Sequence, residues 1–126
     1  MARVLLIDDC DDFRACIDEM LRRLGHEVVS TDQAAEGIGM FDCGGFDAVV
    51  TDILMPGVDG LETILALRRQ CRHTPILAVT GDTEGGWLDR AMQAFGATAV
   101  LRKPIEAKDL ASVLDLQLAA PRAQRS

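Results

Sequence analysis

A chain of 126 residues with 48% hydrophobic content has the size of one domain and enough apolar mass for a core, and its longest apolar runs are far too short to span a bilayer. Twenty acidic residues against 13 basic ones leave a formal charge of −7, which makes a poor general binder of nucleic acid, because phosphate contacts need clustered Lys and Arg. A cation or a basic protein surface is the better partner, and a strand-like run that begins at Arg3 leaves no room for a secretory leader, so a cytoplasmic location is expected.

Val4-Leu5-Leu6-Ile7 is a continuous apolar run, the pattern of a strand buried on both faces. It stops at Asp8-Asp9-Cys10-Asp11-Asp12, where four carboxylates fall within five residues. Phe13, Cys16, Ile17, Met20, Leu21 and Leu24 then recur at helical spacing, with Asp11 or Asp12 expected as the N-cap and Gly25 as the end. His26 to Ser30 reads as a second strand. Thr31-Asp32 is expected to cap a second helix carrying Ala34, Ala35, Ile38 and Phe41, weakened by Gly37 and Gly39 and closed by Gly44-Gly45.

Phe46 to Thr51 reads as the third strand, and Asp52 emerges from it toward the turn signals Pro56-Gly57 and Asp59-Gly60. A carboxylate at the end of a buried strand is costly to desolvate, so it has a partner or a job. Leu61, Ile64 and Leu65 open a third helix, with Arg68 and Arg69 in its last turn, where the helix dipole favours cations. Pro75 introduces Ile76 to Val79 as the fourth strand, which ends in Thr80-Gly81-Asp82. After a Gly-rich loop from Thr83 to Gly86, Leu88, Ala91, Met92 and Phe95 mark a fourth helix that Gly96 ends, with Met20, Met92 and Phe95 expected in the core. Ala99 to Leu101 is the fifth strand and stops at Arg102-Lys103-Pro104; Leu110, Val113, Leu114 and Leu118 form one face of a last helix. Residues 1–120 are therefore expected to form the domain, and 121–126 a polar tail.

Cys10, Cys16, Cys43 and Cys71 contain no C-x-x-C pair, and His26 and His73 fit no metal-ligand spacing. Reduced thiols are expected, without a zinc site or a disulfide framework.

Apolar strands alternating with helices predict an α/β fold, a doubly wound parallel sheet of five strands flanked by five helices. With strand order 2-1-3-4-5, the carboxyl ends of the strands bring Asp8, Asp9 and Asp52 into one pocket, with Thr80 and Lys103 beside them. Two carboxylates ~4 Å apart repel by about 4 kcal/mol at an effective dielectric near 20. Three cannot all stay ionised uncompensated, so either one is protonated or a cation joins them. Oxygen-only ligands suit Mg2+, and three carboxylates are balanced by Mg2+ plus the Lys103 ammonium. A phosphoryl group on Asp52 would then find a metal, an ammonium and the Thr80 hydroxyl for its oxygens.

Asp8-Asp9, Asp52-Ile53-Leu54-Met55-Pro56 with Asp59-Gly60, Thr80-Gly81 and Lys103-Pro104, in that order and each at a strand end, resemble the two-component response regulator receiver domain, a phosphoacceptor module of the chemotaxis-regulator kind. The resemblance runs from about Arg3 to Leu118 and implies a flavodoxin-like fold and a phosphorylation-dependent signalling switch that is no enzyme beyond its own phosphorylation and autodephosphorylation. By resemblance Asp52 accepts the phosphoryl group from a sensor histidine kinase or phosphotransfer protein. Asp9, Asp52 and the Leu54 backbone carbonyl bind Mg2+, Asp8 holds its water shell, and Lys103 contacts the phosphoryl oxygens. Thr80 carries the switch to the fourth helix, fifth strand and fifth helix, the face offered to a downstream protein target or, on phosphorylation, to a second copy.

Three positions bear on how such a switch would work here. Family members usually carry Tyr or Phe three residues before the lysine; here it is Val100, so no aromatic flip can be the readout. The Gly81-to-Gly86 loop is the expected mobile element instead, with Trp87 just beyond it. Leu54 cannot orient a hydrolytic water by its side chain, which implies a moderate-to-long phosphoryl lifetime.

Other readings compete. A receiver-like interaction module independent of phosphorylation would lack the site residues, and all are present. A nucleotide or flavin carrier needs a Ser/Thr/Gly-rich cradle where this chain has Asp8 to Asp12. An aspartate-nucleophile phosphatase usually has a second aspartate two residues beyond the first, where Leu54 stands. Cys10 beside the acidic pocket reads as a plain loop cysteine. With no output domain after Leu118, the chain reads as a stand-alone regulator acting by contact or as a receiver cut from a longer protein.

Overall fold

Val4 to Ile7 does form a strand buried on both faces, and the rest of the sheet is laid beside it. The structure, a computed structural model, describes residues 2–42, 45–55, 58–81 and 87–119. Five parallel strands, β1 (Arg3–Ile7), β2 (Glu27–Thr31), β3 (Ala48–Asp52), β4 (Ile76–Thr80) and β5 (Ala99–Arg102), pair in the order β2-β1-β3-β4-β5. Leu6 lies between Ser30 and Val50, Val50 pairs with Leu77, and Val79 with Leu101. Five helices cover the sheet: α1 (Asp11–Arg23), α2 (Ala34–Met40), α3 (Gly60–Gln70), α4 (Trp87–Phe95) and α5 (Ala107–Ala119). A short antiparallel pair, Leu54–Met55 with Val58–Asp59, leads from β3 into α3. The expected doubly wound, flavodoxin-like architecture is the one observed.

Side chains alternate across a strand, so each strand feeds two cores. Leu5, Ile7, Val49, Ile76 and Ala78 meet Ala34 of α2, Ile64 and Leu67 of α3, and Met92 of α4. Val4, Leu6, Val50, Leu77 and Val79 meet Ile17 and Leu21 of α1, and Leu110 and Leu114 of α5. Each fully buried Leu or Ile contributes about 1.5–3 kcal/mol. This packing holds the strand ends in place. Among the described residues, no helix is long and apolar enough to cross a membrane.

Local expectations fail where a tertiary partner takes the group concerned. The N-cap of α1 is Cys10, without a side-chain cap bond. Asp11 and Asp12 lie inside the first turn, where they favour the helix dipole, and Asp11 is taken by Arg14 at 2.7 Å. The N-cap of α2 is Gln33; Thr31 is the last residue of β2 and uses its hydroxyl oxygen to accept the Gln33 N–H at 3.2 Å. That helix ends at Met40, ahead of the glycines expected to close it. β3 begins at Ala48 because Asp47 ahead of it accepts the Arg3 N–H at 2.8 Å, while Phe46 stacks on Phe41. Cys16 and Leu24 of the apolar α1 pattern are exposed, and Met20 is half-buried. Met92 is buried, but Phe95 is 38% exposed at the last residue of α4, before the chain turns at Gly96 with φ +121°.

Cys71 departs from the expectation of reduced thiols: it is disulfide-bonded, while Cys10 and Cys16 are free. Spacing rules detect only cysteines close in sequence. Arg68, expected simply to favour the end of α3, reaches further and donates to the carbonyls of Gly96, Thr74 and Cys71 at 2.9, 2.7 and 3.1 Å. Burial pushes its guanidinium below the usual arginine range. Residues 82–86 of the Gly81-to-Gly86 loop expected to move, the Trp87 side chain, Cys43, Gly44, Pro56-Gly57 and the 121–126 tail lie outside what is described.

Candidate functional site

β1 stops at Ile7 because the next residues are carboxylates, and Asp8 is held immediately past the strand. Its N–H donates to the Thr31 carbonyl at 3.1 Å. Its Oδ1 accepts the Cys10 N–H at 2.9 Å, a turn that points the side chain inward. Arg14 braces this turn from α1, donating to the Asp8 carbonyl at 2.9 Å and to Asp11 at 2.7 Å. Asp8 is buried and Asp9 exposed. Asp52 is the final residue of β3, adjacent to β1, and is buried. One carboxylate oxygen from each of Asp8, Asp9 and Asp52 lies within 4.8 Å of the others.

Lys103 enters from the other side. It follows β5, its N–H donates to the Thr80 carbonyl at 2.9 Å, and the Lys103-Pro104 peptide is cis. Its Nζ lies 3.2 Å from Asp52 Oδ2 and 3.5 Å from Asp8 Oδ2. Thr80, the last residue of β4, is fully buried one position beyond the Asp52–Val79 pair. The four strand ends named in the sequence therefore meet at one edge of the sheet. Leu54 begins the short antiparallel pair, opposite Asp59. Val100 pairs with Ala78 in the sheet and is half-buried; with Ile105, Asp109 and Val113 it lines a groove of about 360 Å3 on the β5–α5 side.

Two contributors to the site were not legible as such. Arg14 was only a position in a helix, and Phe13 only part of an apolar face. The Phe13 ring lies under the Lys103 ammonium, 4.2 Å from Nζ to the ring centroid. An aromatic next to an acidic run was the available signal.

The charges are not balanced by Lys103 alone. Asp8 Oδ2 is buried and accepts no hydrogen bond among the described residues. Burial, assisted by the nearby Asp52 charge, raises the Asp8 pKa above the usual carboxylate value, against the Cys10 N–H bond that lowers it. The clustered carboxylate oxygens of Asp8, Asp9 and Asp52, an oxygen-only donor set, fit a hard cation with its waters.

A raised folded-state pKa means that Asp8 favours the fold while protonated and that this contribution is lost as pH rises through its folded pKa. Without divalent cation, the Asp8 contribution to stability will therefore fall as pH climbs above 3.8, the ordinary value for this group, and through its raised folded value. Asp8→Asn will flatten that slope and be the more stable protein at pH 7, by about 1–2 kcal/mol, a screened part of the repulsion between neighbouring carboxylates. Urea melts of both proteins across pH test this, and parallel slopes would refute it.

Residues 4–115 match the family described as the response regulator receiver domain. The chain belongs to that family. It is 35% identical over 111 residues to the response regulator protein FleR of Pseudomonas aeruginosa, covering 86% of this chain and 23% of FleR. It is 32% identical over 111 residues to the chemotaxis protein CheY of the same organism, covering 86% of this chain and 89% of CheY. The chain thus spans nearly nine-tenths of the length of CheY and under a quarter of that of FleR. Among solved structures, the receiver domain of the sensor histidine kinase PA1611 from Pseudomonas aeruginosa superposes with a TM-score of 0.84 at 26% identity, covering 94% of this chain and 98% of that one. That structure has magnesium coordinated in its active site cleft.

Receiver domains are phosphoacceptors in two-component signalling rather than enzymes of the ordinary kind. The strand-end carboxylates, Lys103 and Thr80 described above lie at the edge where such sheets bind ligands.

Proposed function

We propose that this receiver domain is a phosphorylation-dependent switch in which Asp52 accepts a phosphoryl group from a phosphohistidine on a sensor kinase or phosphotransfer protein. The observation that carries the reading is the Lys103 ammonium 3.2 Å from a buried Asp52 oxygen, within a cluster of three carboxylates. An Asp52 oxygen forms the bond to phosphorus as the phosphorus–nitrogen bond breaks, and the electron pair leaves with the imidazole. Lys103 already faces the oxygen that would carry the new group, so it can follow the charge onto the phosphoryl oxygens without reorganising.

Asp9 and Asp52, with the Leu54 backbone carbonyl, would hold Mg2+, and Asp8 its water shell. When bound, Mg2+ supplies charge neutralisation for the phosphoryl oxygens. The buried Asp8 Oδ2, which accepts no hydrogen bond among the described residues and has the Lys103 ammonium 3.5 Å away, supports this assignment. Thr80 is buried at the end of β4, and in this reading the β4 end shifts so that its hydroxyl bonds a phosphoryl oxygen. That shift is the switch in this reading. It would pass through the loop after β4 and the α4-β5-α5 face, because Val100 offers no aromatic relay, and would alter contact with a downstream protein or a second copy. The domain would act in the cytoplasm within residues 1–120.

Incubation with acetyl phosphate and Mg2+, read by intact mass, tests the proposal. One phosphoryl group per chain is expected; none would favour a phosphorylation-independent interaction module. Autodephosphorylation should be slow, because Leu54 has no polar group with which to hold an attacking water. Loss of the radiolabelled group within seconds would overturn that expectation.

A further inference from the structure

The structure assigns Phe13 a role beyond packing: we infer that its ring is a positioning residue for Lys103, holding the ammonium at the phosphoryl site through a cation–π contact. The inference rests on the phosphoacceptor reading above and adds to it a residue that the four strand-end motifs do not contain.

Three sides of the ammonium are accounted for. Asp52 Oδ2 lies at 3.2 Å, Asp8 Oδ2 at 3.5 Å, and the Phe13 ring centroid at 4.2 Å. The ring comes from the first turn of α1, and the carboxylates from the ends of β1 and β3. The lysine side chain is 23% exposed, so the ring and the carboxylates have replaced much of its water. An ammonium within about 6 Å of an aromatic centroid is attracted by the negative face of the ring, more strongly when it is desolvated.

The type of residue matters here. Phe13 packs against the cluster of Ile17, Leu21, Leu110 and Leu114, and an aliphatic side chain could fill that place. Only a π face also attracts a cation. It does so without offering a hydrogen-bond acceptor, so it restrains the ammonium yet does not compete with a phosphoryl oxygen for its protons. A lysine has a long, rotatable stem, and ordering it costs free energy on binding unless it is already ordered. The ring supplies that order in advance. Weakening the ring's negative face should therefore weaken binding of a phosphoryl mimic at Asp52, even with the shape unchanged.

The experiment replaces Phe13 in the full chain with 4-fluoro-, 3,5-difluoro- and 3,4,5-trifluorophenylalanine, which withdraw charge from the ring face stepwise at nearly constant volume. Phe13→Leu and Phe13→Trp are made alongside, and circular dichroism checks each fold. Beryllofluoride with Mg2+ is titrated against amide resonances. The dissociation constant should rise with each added fluorine, reaching about three- to tenfold for the trifluoro ring and for Phe13→Leu, and Phe13→Trp should restore it. In metal-free protein, the Lys103 ε-methylene resonances should be shifted upfield by the ring in the wild type and return in Phe13→Leu. A wild type that binds beryllofluoride with a flat fluorine series overturns this inference alone. A wild type that binds none overturns the phosphoacceptor reading and this inference with it. Absence of the upfield shift refutes the contact itself.

Discussion

Asp52→Asn will incorporate no covalent phosphoryl group under conditions that label the wild type, a loss of at least about a thousandfold in rate. The substitution keeps the shape of the side chain and removes the charged nucleophile. A carboxamide oxygen is a poor nucleophile, and the Lys103 ammonium 3.2 Å away would face a neutral group. The variant should fold, because it removes one of three carboxylates packed within 4.8 Å and so relieves repulsion when no metal is present. Intact mass after incubation with acetyl phosphate and Mg2+ reads the result directly. Labelling of Asp52→Asn at the wild-type rate would move the acceptor to another carboxylate, with Asp8 and Asp9 the nearest. Asp52→Asn and a Lys103→Ala variant should also differ in kind. The second retains the nucleophile and should label slowly, by about 10²–10³-fold, since it lacks only the preorganised positive charge.

The clustering of Asp8, Asp9, Asp52 and Lys103 was legible in the sequence because it depends on strand ends, and strand ends are where apolar runs meet charge. Val4-Leu5-Leu6-Ile7 breaking into Asp8-Asp9 marks such an end without knowledge of any contact, as does Ala48-Val49-Val50 reaching Asp52. Parallel topology then brings those ends to one edge. What stayed hidden is whatever a distant partner decides. Asp11 reads as a cap by local rules, but Arg14 engages it and Cys10 takes the cap position. Cys71 has no nearby cysteine in sequence and is nonetheless in a disulfide. Phe13 fits an apolar helix face, and nothing local says that a lysine 90 positions later will lie over its ring. Arg68 looks like a terminal cation, whereas its length lets it bridge three carbonyls from two connections of the fold. For Phe13 and Arg68 the local role was read correctly and the partner was not, whereas for Asp11 and Cys71 the expected role itself failed, because partner choice is set by the packing of whole elements.

Gly60→Ala should be strongly destabilising, costing about 2–4 kcal/mol, because among the described glycines it is the one where an added Cβ meets backbone closer than 3 Å. In the sequence, Asp59-Gly60 is only a turn signal. In the structure Gly60 is buried at the first residue of α3, and a Cβ there would sit 2.6 Å from the Cα and Cγ2 of Ile53 and press on the Ile53 carbonyl oxygen. Two of those three atoms are backbone, so no rotamer change can clear the space. Ile53 is also tied to the sheet, its N–H donating to the Val79 carbonyl at 3.0 Å. Either α3 must move outward, opening the core around Ile64 and Leu67, or Ile53 must shift and take Asp52 with it. The contrast is Gly39 in α2, where a Cβ would meet nothing within 4 Å. Gly39→Ala should stabilise the fold by about 0.5–1 kcal/mol through helix propensity and a less free unfolded chain. Urea denaturation of both variants measures the difference, and beryllofluoride titration shows whether Gly60→Ala also weakens the site. Equal midpoints for the two would mean that the α3 start yields freely. The close backbone approach at Gly60 would then not be what seats the acceptor loop.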